Sequence, residues 1–320
     1  LVPNSYSEDD YRPLYNSVDA SLLLFEQVKK YIEYTKDYDF IMNEIYQNLE
    51  HIIKNYSIGI DIDDNNIYLD TDGLIVSGTP YTQNTWMDVK YDGIPATPRN
   101  GKPVEINAMW YNALKVMAEL AEYQKDESKK EKYERMANKC KKSFREKFYN
   151  KSKKCLYDVL EDGKVRPNQL FALSLSYPVL DVNSKEAKEM FETVTKKLLN
   201  KYGLKTLAKG EENYIDVYEG DSFKRDFSYH QGITWTWLLG LYYNCLKRFA
   251  TESRTGKKKY NEQLEEFIQS VTETFSKEIN ERGCIGSIAE IYDSKRPFEP
   301  KGAVAQAWSV AEVFRIITRS

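Results

Sequence analysis

The sequence predicts an all-α protein whose helices form two concentric layers, as in an α/α-barrel, and two observations lead to this prediction. Segments that are apolar around most of their circumference alternate with segments that carry a single apolar stripe. The first kind must be buried and the second must face water. The connections that run from a buried segment to the next amphipathic segment are short, whereas the connections from an amphipathic segment to the next buried segment are long. Buried helices inside a ring of amphipathic helices satisfy both observations.

Five segments are predicted to be inner helices because apolar residues cover most of their surface: 17–35, 103–123, 167–176, 228–249 and 303–317. Four segments with an apolar residue at every third or fourth position are predicted to be outer helices: 39–54, 128–149, 184–199 and 258–280. In segment 128–149, for example, the stripe of Tyr133, Cys140 and Phe144 lies among lysines and glutamates. Such a helix buries one face and leaves the rest in water.

The long connections precede inner helices and therefore lie on one rim of the predicted barrel: 55–102, 150–166, 200–227 and 281–302. They are rich in Gly, Pro and aromatic residues, and long ordered loops are usually functional. The first contains a predicted β-hairpin, with strands 67–69 and 74–76 on either side of Asp70–Gly73, because Asp-Gly favours a tight turn. We expect the functional site at this rim.

The composition suits a folded globular protein, since 41% of the 320 residues are hydrophobic and 30% are charged. No apolar run reaches the roughly 18 residues of a spanning helix, and the first residues lack a secretory signal. We therefore expect a cytoplasmic protein that does not bind a membrane. Charges of both signs are interspersed without a basic stripe, which excludes nucleic acid as a partner.

Metals, cofactors and disulfides are not expected. The four cysteines show no Cys-x-x-Cys spacing, which predicts free thiols rather than a zinc site. With His51 and His230 as the sequence's histidines, a metal site built on several imidazoles is excluded. The acidic segment 61–65 lacks the glycine and the bidentate glutamate of a calcium loop. The sequence also lacks a glycine-rich phosphate loop and a serine nucleophile elbow.

Two carboxylates in the rim connections are candidates for acid–base chemistry. Asp88 follows Trp86 between aromatic residues, where desolvation would raise the carboxyl pKa and suit a general acid; the alternative is a helix cap or a loop-bracing residue. Glu290 lies among apolar and small residues, where a carboxylate needs a partner or a function. We expect the two to flank a glycosidic bond, one protonating the leaving oxygen and the other activating water.

Aromatic and polar residues in the same connections suit a sugar site. All five tryptophans fall in rim connections or inner helices, and indole faces stack on the apolar faces of sugar rings. The alternative is that inner helices collect large residues, which fits Trp237 best. Glu105 lies in the first turn of its helix, where the helix dipole favours an acidic residue in any case. Asp226 can cap helix 228–249, and a buried, hydrogen-bonded His230 is the structural alternative to substrate binding.

At these residues the chain resembles the glycogen debranching enzyme family, specifically the amylo-α-1,6-glucosidase domain of its archaeal and bacterial members. The matching motifs follow one another over nearly the whole chain: Thr85–Asp88, Thr97–Arg99, Pro103–Tyr111, Arg166–Gln169, Tyr229–Gly232, Gly286–Ser287 with Glu290–Ile291, and Gln306–Ser309. Jointly they are highly specific, although each alone is weak.

The resemblance implies an (α/α)6 barrel that hydrolyses α-1,6-linked glucose at branch points of glycogen or limit dextrin, with inversion at the anomeric carbon. It assigns Asp88 as general acid and Glu290 as general base, and an inverting pair stands roughly 6.5–9.5 Å apart to leave room for water. The expected partner is therefore a branched α-glucan. The resemblance also implies that the sugar subsites are lined by Arg99, Glu105, Tyr229, His230 and Trp308. We further expect substrate to be bound by Trp86, Trp110, Asn168, Gln169, Asp226, Trp235 and Gln306.

One departure from the family concerns the number of helices. A closed (α/α)6 fold has six inner and six outer helices, whereas the sequence predicts five and four, so the first three helices are expected to be lacking. We therefore expect residues 1–320 to be a single α/α-barrel catalytic domain, the C-terminal part of a longer enzyme. An incomplete ring exposes apolar surface, which an upstream domain of the same enzyme or a homo-oligomer would cover.

Two other functions fit the same sequence. One is another inverting α-glucosidase on this barrel, such as a glucoamylase or a trehalase; a disaccharide phosphorylase fits less well, because it lacks a carboxylate at the position of Glu290. The other is a non-catalytic fragment that only binds glycogen, an alternative that the incomplete set of helices keeps open. Release of glucose from a branched glucan distinguishes catalysis from binding.

Overall fold

The computed structural model describes residues 1–319 and is helix-rich, with small antiparallel sheets. A π-helical turn, Ile41–Ile45, lies between the helices Tyr38–Phe40 and Tyr46–Ile58. A 3-10 helix, Pro167–Leu170, precedes the short helix Phe171–Ser174. Among residues 1–319, no helix is both long enough and apolar enough to cross a membrane. The α-helices are α1 (Ala20–Thr35), α2 (Tyr38–Phe40), α3 (Tyr46–Ile58), α4 (Val104–Tyr123), α5 (Glu127–Lys147), α6 (Phe171–Ser174), α7 (Lys185–Lys197), α8 (Ser222–Ser228), α9 (Leu238–Glu252), α10 (Lys257–Glu281) and α11 (Ala307–Ile317).

The strands are short and pair with antiparallel neighbours. The predicted hairpin is confirmed as β3 and β4, which pair through Tyr68 with Val76 and Leu69 with Ile75. Five other strands form one sheet in the order β13-β12-β11-β10-β9. The strands are β1 (Ser5–Tyr6), β2 (Pro13–Leu14), β3 (Tyr68–Leu69), β4 (Ile75–Val76), β5 (Lys90–Tyr91), β6 (Ile94–Pro95), β7 (Tyr149–Asn150), β8 (Cys155–Leu156), β9 (Leu199–Asn200), β10 (Gly203–Lys205), β11 (Thr234–Trp235), β12 (Ile291–Tyr292) and β13 (Pro300–Lys301).

Helix starts follow from the local sequence. The carboxylate of Asp126 accepts the N–H of Lys129 at the start of α5, and the hydroxyl of Ser184 accepts the N–H of Ala187 at the start of α7. Each bond satisfies a backbone donor that has no partner inside the helix. Helix α4 begins directly after Pro103, which has no backbone N–H to leave unpaired.

The residues cluster into two compact units. Unit 1 consists of Leu1–Tyr149, Val159–Glu161 and Leu175–Leu180, and it contains α1 to α5. Its core is α4, which is buried along almost its whole length and packs against α1, α3 and α5. Helix α5 instead buries one stripe, as its sequence pattern predicted.

Unit 2 consists of Asn150–Asp158, Asp162–Ser174 and the described residues from Asp181 onward. Helix α9 is central, since it packs against α6, α10 and α11. The single apolar stripe predicted for α7 and α10 is confirmed, because each buries one such row of residues. The five-stranded sheet lies in the same unit and carries the connections that lead to α9 and α11.

The structure corrects the prediction of one continuous helix over 228–249. Helix α8 ends at Ser228, Thr234 and Trp235 form strand β11, and α9 begins only at Leu238. Gly232 has φ +135°, outside the helical region, and a Cβ there would clash with the backbone of Ile215. The alternation Thr-Trp-Thr-Trp is a strand pattern, and β11 pairs with both β10 and β12.

Two further inner helices differ from their predictions. Segment 167–176 forms only the 3-10 turn and the short α6, and the backbone N–H of Ser176 donates to the carboxylate of Glu26 instead of to a helical carbonyl. Helix α11 begins at Ala307 rather than 303, and much of its apolar surface is exposed, including Phe314. Its apolar composition alone therefore did not determine its burial.

Candidate active site

The segment that carries Asp88 is anchored within unit 1 on both sides. The N–H of Val18 donates to the carbonyl oxygen of Asn84 at 2.7 Å. The side chain of Met87, one residue before Asp88, is buried in the core. Asp88 itself is exposed. Unit 1 therefore does not provide the desolvation between aromatic rings that the sequence predicted for this carboxyl group. Trp86 is half-buried.

A buried ion pair holds the same segment against α4. Glu105, in the first turn of α4, is fully buried, and Arg99 is 4% exposed. The guanidinium of Arg99 donates to both carboxylate oxygens, with Nη2 2.6 Å from Oε2, and Nη1 also donates to the hydroxyl of Thr85 at 3.2 Å. Both charged residues, predicted to bind substrate, thus brace the loop that leads to Asp88.

Trp110 is a core residue of unit 1. Its indole is fully buried and stacks on the ring of Tyr56, with centroids 6.1 Å apart and planes 13° from parallel. The sequence placed it in the substrate site, but α4 is surrounded by other elements of unit 1 on nearly every side, so its largest side chain fills the core. The burial of Trp110 therefore fits the alternative stated above, that helices of the core collect large side chains.

Glu290 is held in unit 2 at the edge of strand β12. Its Oε2 accepts the backbone N–H of Ala303 at 3.0 Å, and its Oε1 accepts the side-chain amide of Gln306 at 3.1 Å. The backbone N–H of Glu290 donates to the carbonyl of Ala303 in return. The side chain is half-buried. Gln306, predicted to bind substrate, donates to this carboxylate, which keeps lone pairs to accept a proton from water.

Aromatic side chains form a continuous cluster in unit 2. The ring centroids of Tyr229 and His230 lie 4.8 and 5.1 Å from that of Trp235. The imidazole of His230 is stacked on the indole. Trp308 contacts Trp235 edge-on and stacks on Trp237 at 4.9 Å. Trp308 is 36% exposed, whereas Trp235 is 2% exposed. Trp308 therefore presents an indole to solvent that is already held in place by other rings, as a sugar-stacking platform requires.

Tyr218 is a candidate site residue that sequence reasoning missed. Its ring lies 5.6 Å from that of Tyr229, and its backbone N–H donates to the carboxylate of Asp293 at 2.8 Å. Burial raises the pKa of Tyr218, Arg225 opposes the rise, and Asp226 and Glu290 add to it. Tyrosine is too common in this chain for its type to have been a signal. Its place in a long connection was the available clue.

Asp226 lies inside α8 and does not cap a helix. The cap of α8 is Asp221, whose carboxylate accepts the N–H of Lys224 at 2.9 Å. Asp226 is half-buried and acts on Tyr218 together with Glu290. Tyr218 therefore contacts Tyr229 directly, and the charges of Asp226 and Glu290 both raise its pKa.

Asn168 and Gln169 belong to a buried network behind the aromatic cluster. The side-chain amide of Asn168 donates to the carboxylate of Asp158 at 2.8 Å. The amide oxygen of Gln169 accepts the backbone N–H of Leu156, and its amide nitrogen donates to the backbone carbonyl of Arg166. Arg166 donates to the carbonyl of His230 at 2.6 Å and to the side chain of Gln231 at 2.8 Å. Arg166 therefore supports the turn that carries Tyr229 and His230. Gln169 in turn bonds the backbone carbonyl of Arg166.

The predicted site residues divide between the units. Unit 1 contains Asp88, Trp86, Arg99, Glu105 and Trp110; unit 2 contains Glu290, Asn168, Gln169, Asp226, Tyr229, His230, Trp235, Gln306 and Trp308. Within unit 2, the carboxylate of Glu290 is oriented by two donors, and its charge contributes to the raised pKa of Tyr218. Tyr218 in turn contacts Tyr229 of the aromatic cluster. Such an arrangement can bind a sugar ring and accept a proton from water.

Comparisons with known proteins agree with this chemistry. A family model described as amylo-alpha-1,6-glucosidase matches residues 1–315. A glycogen debranching enzyme of Saccharomyces cerevisiae is 25% identical over 249 residues, which are 63% of this chain and 16% of that protein. A solved structure named sialidase aligns with 95% of this chain and 26% of its own, with a TM-score of 0.62 and 14% identity. That last likeness concerns the fold alone, and the chain spans a minor part of both relatives.

Proposed function

The chain belongs to the amylo-α-1,6-glucosidase family, and from that premise we propose that it hydrolyses α-1,6-linked glucose at branch points of glycogen or limit dextrin with inversion. Asp88 is the general acid that protonates the glycosidic oxygen. Glu290 is the general base that removes a proton from the attacking water. The water oxygen bonds to the anomeric carbon, the carbon–oxygen bond to the branch breaks, and glucose leaves as the β-anomer.

The observation that carries the proposal is the environment of Glu290. A general base must be oriented, and two donors from the segment after β13 fix this carboxylate. The neighbouring Tyr218 and Asp226 supply hydroxyl and carboxylate groups for sugar hydroxyls. Trp308 supplies an exposed indole for a glucose ring.

The exposed Asp88 is compatible with the role of an acid that must reach a large, branched substrate. Its segment is braced by the Arg99–Glu105 pair, so its backbone position is defined before substrate binds. Bound glucan would then supply the desolvation that raises the pKa of a general acid.

The larger context is part of the same proposal. We infer an (α/α)6 barrel that forms a single catalytic domain. The exposed apolar residues of α11 suit a chain that packs against an upstream domain or a second copy. A cytoplasmic location stays a prediction.

The test is release of free glucose from a branched limit dextrin by the purified protein. Asp88→Asn and Glu290→Gln should each lower kcat by about 10²- to 10⁴-fold with the fold intact, since general acid–base catalysis contributes that much. Proton NMR of the first product should show β-glucose. Equal activity in all three proteins would refute the roles, and α-glucose as first product would refute inversion. Glycogen binding without glucose release would favour the non-catalytic alternative.

A further inference from the structure

We propose that Gly302 is a positioning residue for the carboxylate of Glu290, an inference that rests on the proposed role of Glu290 as general base. A Cβ built on Gly302 would lie under 3.0 Å from Oε2 of Glu290, a separation that real Cβ atoms do not show. It would also lie 3.2 Å from Cβ of Glu290 and 3.0 Å from Cγ1 of Ile291. The carboxylate thus occupies the space that any side chain at position 302 would need.

The strand register creates this contact. Strands β12 and β13 pair antiparallel through Ile291 with Lys301 and Tyr292 with Pro300. Continuing that register by one residue places Gly302 directly opposite Glu290. Gly302 then has φ +67°, in the left-handed region that favours glycine. This turn directs the N–H of Ala303 at Oε2 and the carbonyl of Ala303 at the N–H of Glu290.

Gln306, the residue before α11, provides the second donor to the Glu290 carboxylate; we call the two donors, the N–H of Ala303 and the amide of Gln306, the carboxylate clamp. The amide of Gln306 donates to Oε1, so the two carboxylate oxygens have donors from two different positions in one segment. Two donors fix the plane of the carboxylate as well as its location. Gly302 therefore acts through Glu290 rather than on the substrate.

The clash predicts a specific kinetic change in Gly302→Ala. The atom in the way is the end of a flexible side chain, so the fold can absorb the methyl group by moving the carboxylate. A misplacement of roughly 1 Å in a catalytic group costs about 10²-fold. We expect kcat for limit dextrin to fall 10- to 100-fold while KM stays within twofold, because the sugar-binding surfaces are unchanged.

Gly286 provides the matched control. It is exposed, it has φ +86°, and it lies in the connection that leads to Glu290. Apart from Gly286 and its two chain neighbours, no residue described by the structure has a heavy atom within 4 Å of a Cβ built on it. Gly286→Ala therefore carries the backbone strain of alanine at positive φ without touching the carboxylate, and its kcat should stay within twofold of the parent. Equal kcat in the two alanine variants overturns the inference.

A second readout separates this inference from the proposed function. If Glu290→Gln keeps full activity, or the parent protein releases no glucose, the role of Glu290 fails, and the carboxylate clamp is then judged by amide hydrogen exchange at Ala303. Protection of that N–H should be present in the parent and in Gly286→Ala, and at least tenfold weaker in Gly302→Ala and Glu290→Ala. Unchanged protection in Gly302→Ala overturns the inference, whatever the activity of the chain.

Discussion

Replacing Glu105 with glutamine should destabilise the protein by about 3 kcal/mol. The substitution keeps the shape and one acceptor oxygen but removes the negative charge that faces the buried guanidinium of Arg99. Breaking a buried ion pair by removing one partner typically costs about 3–5 kcal/mol, because the remaining charge is left uncompensated. The retained amide oxygen and the bond from Arg99 to Thr85 place the expected loss at the lower end.

Calorimetric melting of Glu105→Gln against the parent measures this loss, which should lower the melting temperature by roughly 4–5 °C, since the entropy of unfolding scales with the 320-residue length. Glu265→Gln is the matched control, since Glu265 and Arg319 form a similar two-bond pair at the exposed surface. Water and salt already screen that pair, so its loss should change the melting temperature little. The double variant Arg99→Met with Glu105→Gln should regain at least half of the loss, because no unpaired charge then remains buried.

A loss for Glu105→Gln no larger than for Glu265→Gln would refute this reasoning. So would a double variant whose loss equals the sum of the single losses, since that result would mean that the two charges do not depend on each other.

Two further predictions concern pH and substrate. Burial alone would raise the pKa of Asp72, but hydrogen bonds from Lys102 and Lys147 outweigh it and lower the pKa below the ordinary 3.8. Asp72→Asn should therefore be about 1–2 kcal/mol less stable at pH 7 by urea unfolding. The difference should shrink as the pH falls below 3.8 and vanish once the pH lies below the lowered pKa of the folded protein; a difference that stays constant down to pH 2 would contradict the cause. Trp308→Ala should raise KM for limit dextrin about 3- to 10-fold through lost stacking, whereas the exposed Phe314→Ala on the same helix should not.

The sequence by itself determined the elements whose signals are local. Helical periodicity identified α4, α5, α7 and α10 and the burial of each, because side-chain spacing along one helix decides which face meets the core. The Asp-Gly turn identified the β3–β4 hairpin. The motifs identified the family, because residue type and order are properties of the chain alone.

Tertiary structure decided what depends on residues far apart in the chain. Strand β11 exists because Trp235 pairs with Leu204 on one side and Ile291 on the other, and no local pattern contains those partners. The roles of Gln306 and Gly302 likewise arise from the register of β12 and β13, which brings an acidic side chain against a backbone turn. A sequence can thus name the types of groups in a site, whereas the contacts that orient them come from non-local pairing and packing.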